Sequence, residues 1–226
     1  MFFIEKLKNQ RSIILNKVNH FFFAFFLIVN YTFMDNKKLI IFTAPSGAGK
    51  TTIVRHLLKI RKDTSFSISA CTRTPRYGEV SGMDYYFLSP AEFKRKVDVG
   101  DFVEYEEVYE NQYYGTLRSE INRLWESGKH VLFDIDVKGA LAIKQKYGEQ
   151  ALSIFVKPPS FEILKDRLMN RKTEDEASLR KRINRVKEEM TYERHFDITL
   201  VNSDLELALK EAEQLVENFL ALETSV

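Results

Sequence analysis

The chain has one cysteine, Cys71, among its 226 residues, so no disulfide can form within it and the fold needs no oxidising compartment. It has almost no net charge, +2 at neutral pH, and no contiguous basic stripe, which argues against nucleic-acid binding. Internal repeats and low-complexity linkers are absent. With 44% hydrophobic and 29% charged residues, neither disorder nor a collagen-like repeat fits, and the length favours one compact domain with inserted lobes. Nor does FFFAFFLIV, from Phe21 to Val29, suffice as a membrane span. As a helix it would cover only about 14 Å, against roughly 30 Å of bilayer hydrocarbon.

The small net charge hides an asymmetry. Lys6, Lys8, Arg11 and Lys17 against Glu5 give residues 1–33 a charge of +3, leaving −1 for the rest, and the same segment holds 8 of the 18 Phe. A positive lead before a short apolar core resembles a signal peptide, but no small-x-small cleavage site follows. Residues 1–33 are therefore expected to be an extension outside the fold and dispensable, with Met34 able to initiate. A peripheral anchor and a targeting peptide are the alternatives.

From Lys38 onward, apolar runs of strand length alternate with amphipathic stretches. KLIIFTA, VLFDID (131–136), ALSIFV (151–156) and FDITLV (196–201) read as strands. TTIVRHLLKIR, Val137 to Lys146, Ser160 to Asn170, Glu174 to Tyr192 and Leu205 to Leu222 read as helices. Continuously apolar strands separated by helices predict an α/β fold with a parallel sheet covered on both faces. Phe66 to Arg118 differs: FSISACT, DYYFL, DFVEYEEVYEN and QYYGT are aromatic-rich, with Pro75, Gly78, Gly82 and Gly115 between them. That pattern predicts a hairpin-rich, mostly antiparallel insertion.

Between the first strand and first helix stands Ala44-Pro45-Ser46-Gly47-Ala48-Gly49-Lys50-Thr51, followed by Thr52. It meets G-x-x-x-x-G-K-[ST] except at Ala44, which is tolerable if that residue keeps φ below zero. Backbone N–H groups at a helix N-terminus cradle phosphate, Lys50 reaches the β- and γ-phosphates, and Thr51 supplies a hydroxyl for Mg²⁺. In the insertion, Arg73 and Arg76 flank Pro75, so two planar guanidinium forks can serve a second phosphate.

TRTPRYGEVSGMDYYF, the later NQYYGT, and DIDVKGA after an apolar strand together resemble the guanylate kinase family, from about Lys38 to the C-terminus. The resemblance implies a P-loop NTPase core with a parallel sheet flanked by helices, an inserted nucleoside monophosphate lobe and a helical lid. The core would take residues 34–66 and 119–226, with the lid at about 160–190, and the GMP lobe 67–118. The implied activity is transfer of the γ-phosphoryl of ATP to GMP, and to dGMP, in purine nucleotide metabolism. Mg²⁺ is the expected cofactor, ATP and GMP the partners, and the cytoplasm the expected compartment.

Position by position, the resemblance gives Ser69, Arg73, Arg76, Tyr85 and Tyr114 to the GMP phosphate, and Glu104, Thr116 and Asp136 to the base. Asp134 is implied at the acceptor side and near the metal, directly or through water, beside Thr51. Asn202, in VNSD, is implied beside ATP, and Arg167, Arg171 and Arg182 in the lid, where with Lys50 and Arg76 they would close over the transferring group. Other charges of the lid region, including Lys165, Lys181 and Arg185, read as a solvated helical face. One residue more than usual separates Glu104 from YYGT, which a longer hairpin tip around Tyr109 to Gln112 would absorb. Two other readings stand beside the enzyme: a non-catalytic phosphopeptide-binding module of the same fold, and a P-loop kinase of another phosphorylated small molecule. Retention of Lys50, Thr51 and the lid arginines speaks against the first, and Glu104 with Tyr114 and Thr116 against the second.

Overall fold

The computed structural model describes residues 37–169 and 176–221; the proposed extension 1–33 and Arg171 lie outside them. The chain runs β1 (Leu39–Thr43), α1 (Lys50–Ile60) and β2 (Thr64–Phe66), then β3 (Ala70–Cys71), β4 (Tyr86–Phe87), α2 (Pro90–Asp98), β5 (Phe102–Tyr109) and β6 (Gln112–Leu117). It continues through α3 (Arg118–Glu126), β7 (His130–Asp134), α4 (Val137–Tyr147), β8 (Ala151–Lys157), α5 (Phe161–Met169), α6 (Glu176–Met190), β9 (Ile198–Val201) and α7 (Leu205–Ala221).

Five strands form a parallel sheet in the order β2-β7-β1-β8-β9. The central strand β1, LIIFT, is buried at every position. Its side chains alternate between faces as a strand requires. Ile40 and Phe42 pack with Ile53, Leu57, Ala212 and Val216 of α1 and α7. Leu39 and Ile41 pack with Ile121, Leu124, Ala140 and Ile143 of α3 and α4. Burial on both sides is why the strand is apolar from Leu39 to Phe42, and each such side chain contributes about 1.5–3 kcal/mol.

The register pairs Phe42 of β1 with Asp134 of β7, so the loop after β1 and the acidic end of β7 emerge at the same carboxyl edge. In parallel α/β sheets that edge is where ligands bind. β2 is an edge strand of this sheet, Thr64–Phe66 pairing with β7, so Phe66, the first residue of FSISACT, sits in the core rather than in the insertion.

The second sheet runs β4-β3-β6-β5. β3–β6 and β5–β6 are antiparallel, as expected for the insertion, but β3–β4 is parallel. Helix α2, absent from the strand-based reading, starts at a capping box in which Ser89 and Glu92 exchange hydrogen bonds, with Pro90 in the first turn. The β5–β6 tip is short: Tyr109 pairs directly with Gln112, and Asn111 takes the left-handed conformation with φ 59°. The longer tip expected from the spacing is therefore not present. Instead β5 slips register between Phe102 and Glu104 and again between Glu107 and Tyr109. Such bulges change which face a side chain meets. Phe102 and Tyr105, three apart, both pack on Phe93, which strict alternation would forbid.

Glu120 of α3 ties the second sheet to the core. It is 2% exposed and accepts from the Ile68 N–H at 3.2 Å, the Tyr86 hydroxyl at 2.8 Å and Arg123 at 2.8 and 2.9 Å. Burial alone would raise its pKa, but the Arg123 and Tyr86 bonds hold it below the usual value. Glu120→Ala strands the half-buried Ile68 N–H and Tyr86 hydroxyl, and is expected to lower stability by about 1–3 kcal/mol. Urea unfolding checks this: the midpoint should fall with an unchanged slope, and an unmoved midpoint would remove Glu120 from this role.

Candidate active site

The loop after β1 is shaped by two glycines in the left-handed region, Gly47 (φ 92°) and Gly49 (φ 97°). A Cβ on Gly49 would also collide with the Asn202 side-chain amide. Asn111 is the one non-glycine residue with positive φ among the described residues, so Ala44 meets its condition. The loop feeds directly into α1, whose first residue is Lys50. Lys50 Nζ forms an ion pair with Asp134 Oδ1 and donates to the Ile135 carbonyl at 3.0 Å, while the Thr51 hydroxyl donates to Asp134 Oδ2 at 2.7 Å. A cavity of about 830 Å³ opens here, lined by Ala44 to Thr52, Asp134, Asp136, Lys181, Arg182, Arg185 and Glu189.

A second cavity, of about 210 Å³, lies between the two sheets, lined among others by Ser69, Tyr85, Glu104, Tyr114, Asp134 and Asp136. Glu104 is 9% exposed and lies over the first turn of α4, where a Cβ on Gly139 would come within 3.0 Å of Glu104 Oε2. Burial, together with the nearby Asp136 and Glu106 carboxylates, pushes its pKa up to about 7. Asp136 is the N-cap of α4, its Oδ1 accepting from the Lys138 and Gly139 N–H groups at 2.9 and 3.0 Å. Thr116, opposite Glu104 in the ladder, is fully buried, and its hydroxyl, which meets no partner at hydrogen-bond geometry among the described residues, sits near enough to the Glu104 carboxyl to oppose its upward shift.

Arg73 sits over the Tyr85 ring at 4.8 Å, and Tyr85 meets Tyr114 edge-on at 6.0 Å. The Glu79 carboxylate holds Arg73 from one end, at 2.6 and 2.7 Å from the two Nη atoms, and also accepts from the Arg76 N–H at 2.7 Å.

Among the described residues, no group of three or more His, Cys, Asp or Glu is placed to hold a metal ion. The adjacent Thr51 hydroxyl and Asp134 carboxylate offer oxygen donors beside the phosphate loop. That donor set suits Mg²⁺, which keeps several waters and takes its other ligands from substrate phosphates.

A model of the family described as guanylate kinase matches residues 36–219. The chain belongs to the guanylate kinase family. It is 49% identical to the guanylate kinase of Salinibacter ruber over 188 residues, covering 83% of this chain and 100% of that protein. The guanylate kinase of Porphyromonas gingivalis is 46% identical over 185 residues, covering 81% and 98%. Among solved structures, guanylate kinase from Anaplasma phagocytophilum superposes with a TM-score of 0.66 at 26% identity, over 83% of this chain and 88% of that one. The P-loop α/β fold expected from the residues is thus the fold of the family.

Several site residues lie differently from the simplest expectation. Arg76 is exposed and lines neither cavity. Asn202 is 5% exposed beneath the phosphate loop, its Nδ2 donating to the Ala48 carbonyl at 2.7 Å; it supports the loop from below and lines neither cavity. Arg167 falls on α5, Arg171 lies outside the described residues, and Arg182 is on the wall of the P-loop cavity. Arg185, read from sequence as part of a solvated face, is half-buried and lines both cavities.

The raised pKa of Glu104 gives a pH dependence with a definite sign. A guanine read by Glu104 through N1–H and N2–H₂ would need the carboxylate, so binding would deprotonate Glu104 where free protein holds it protonated. GMP affinity should therefore fall as pH drops below about 7, approaching about tenfold per unit, and level off above it. Glu104→Gln should weaken GMP binding by about 1–3 kcal/mol, flatten this dependence and leave ATP binding unchanged. Calorimetric titrations from pH 5.5 to 8.5 check it; equal losses for the two nucleotides would remove the base-reading role.

Proposed function

We propose that this guanylate kinase transfers the γ-phosphoryl of ATP, held at the P-loop, to GMP, held in the smaller cavity between the two sheets, with dGMP as a second acceptor. The observation that carries the assignment is Glu104: a buried carboxylate in a cavity that shares Asp134 and Asp136 with the P-loop cavity. Guanine presents two adjacent donors to such an acceptor and adenine does not. Ser69, Arg73, Tyr85 and Tyr114 take the acceptor phosphate, and Thr116 and the uncapped oxygen of Asp136 supplement Glu104 at the base. Arg76 reaches the acceptor phosphate from its exposed position once that phosphate is in place.

The chemistry needs placement and charge compensation rather than a general base, because a GMP phosphate oxygen is already anionic. Lys50 takes the β- and γ-oxygens, and Arg167, Arg171 and Arg182 close over the transferring group. Thr51 and Asp134 would hold Mg²⁺, which would supply charge neutralisation at the phosphates. Asn202 contributes through the loop it supports. The same reading places the enzyme in the cytoplasm. No helix among the described residues is long and apolar enough to cross a membrane.

A coupled ADP-release assay with GMP, dGMP, AMP, UMP and ribose phosphates as acceptors tests the assignment. Turnover should require GMP or dGMP and Mg²⁺, and Lys50→Met should lower it by roughly 10³-fold or more, as expected for a group that stabilises the transferring charge. Comparable turnover with AMP or a ribose phosphate would overturn the acceptor assignment.

A further inference from the structure

Three residues border both the P-loop cavity and the Glu104 cavity among the described residues: Asp134, Asp136 and Arg185. Two are acids, and their charges are already engaged. Asp134 faces Lys50 and Thr51, and Asp136 caps α4 through Oδ1. Arg185 is the one cation common to both walls among the described residues, where two polyanionic substrates would meet. We propose that Arg185 is a catalytic residue of the phosphoryl transfer, its guanidinium contacting the group in flight between donor and acceptor phosphates, with Glu189 as the positioning residue that holds it. The inference rests on the reaction proposed above.

The local geometry supports a built site rather than a surface ion pair. Arg182 and Arg185 are one turn apart, so they share a face of α6. That helix is anchored beside them by Val186, buried against Leu164, Phe161 and Met190. Arg185 Nε donates to Glu189 Oε1 at 2.8 Å, with the Glu189 side chain 13% exposed and the Arg185 side chain 42%. Among the described residues this is the sole hydrogen bond of the Arg185 side chain, so its Nη pair is uncommitted. Because the guanidinium is planar, fixing one edge fixes the direction of the other donors. Burial would lower its pKa, but the carboxylates of Glu189, Asp136 and Glu106 more than offset this and keep it charged.

An exposed i,i+4 pair would contribute only a few tenths of a kcal/mol to stability and nothing to rate. A guanidinium that meets the transferring group behaves differently, because its effect falls on kcat. The purified full chain and its Arg185→Gln and Arg185→Lys variants are compared in the ADP-release assay, with ADP and GMP affinities from calorimetry and thermal melting alongside. Arg185→Gln should lower kcat on the order of 10²–10³-fold. ADP and GMP dissociation constants should move less than about fivefold, and Arg185→Lys should recover part of the rate. The ternary complex of ADP, aluminium fluoride and GMP, which mimics the transition state, should lose affinity in parallel with kcat. A kcat within about threefold of the unmodified chain overturns the proposal, as does a loss matched by weaker ADP and GMP binding or by a lowered melting temperature. If the unmodified chain does not phosphorylate GMP, the functional assignment fails first, a result separate from either outcome for Arg185.

Discussion

The Asp134 carboxylate lies between the side chains of Lys50 and Thr51, and the architecture around it keeps those three groups together. The constraint is set by register. β7 lies parallel to β1 with Asp134 level with Phe42, so the strand end that carries the acid is beside the loop that carries the lysine. Asn202 enters from the end of β9, its own N–H bonded to the Lys157 carbonyl at 2.7 Å, and holds the Ala48 carbonyl from beneath. Three strand ends of one sheet thus fix one phosphate loop. This is what a parallel sheet can supply and an isolated loop cannot: several backbone termini at one edge, each held by the buried apolar strand behind it.

The second cavity is lined by acids, Glu104, Asp134 and Asp136, together with Arg185 and the Tyr85 and Tyr114 rings, and Arg73 lies over the Tyr85 ring. Crowding of the acids has an electrostatic consequence, since it is partly why Glu104 stays protonated so far above the usual carboxylate range.

Much of the parallel core was legible because its signals are local. The apolar runs of β1, β7, β8 and β9 and the phosphate-loop pattern are each written within about ten residues, and burial on both faces makes such strands unmistakable. The second sheet was less legible because its strands are short and its phase is broken. β3 and β4 have two residues each, and the slips in β5 put Phe102 and Tyr105 on one face against alternation. Helix α2 had a readable start in Ser89-Pro90-Ala91-Glu92, but lay inside a stretch otherwise read as strands. Arg185 was hidden by composition: in KRINRVKEE almost any charge looks solvated. The available signal was its place next to Val186, a buried apolar position of that helix.

Arg73 and Arg185 share a device for fixing a guanidinium. Each is held along one edge by its own carboxylate, Glu79 for Arg73 and Glu189 for Arg185. Arg73 in return holds the Glu79 pKa down to about 2, so that clamp stays charged across the physiological range. Paired in this way, each guanidinium is held in direction by its own carboxylate. Their orientation is set by the fold before any phosphate arrives. A phosphate that then approaches meets donors that need little reorganisation, and a preorganised dipole or charge stabilises developing negative charge more effectively than one that must first turn toward it. The carboxylates lower the net positive charge of the site, which weakens ground-state attraction for any anion. They leave intact the directional contacts that a transition state, with charge spread over its equatorial oxygens, can use better than either substrate.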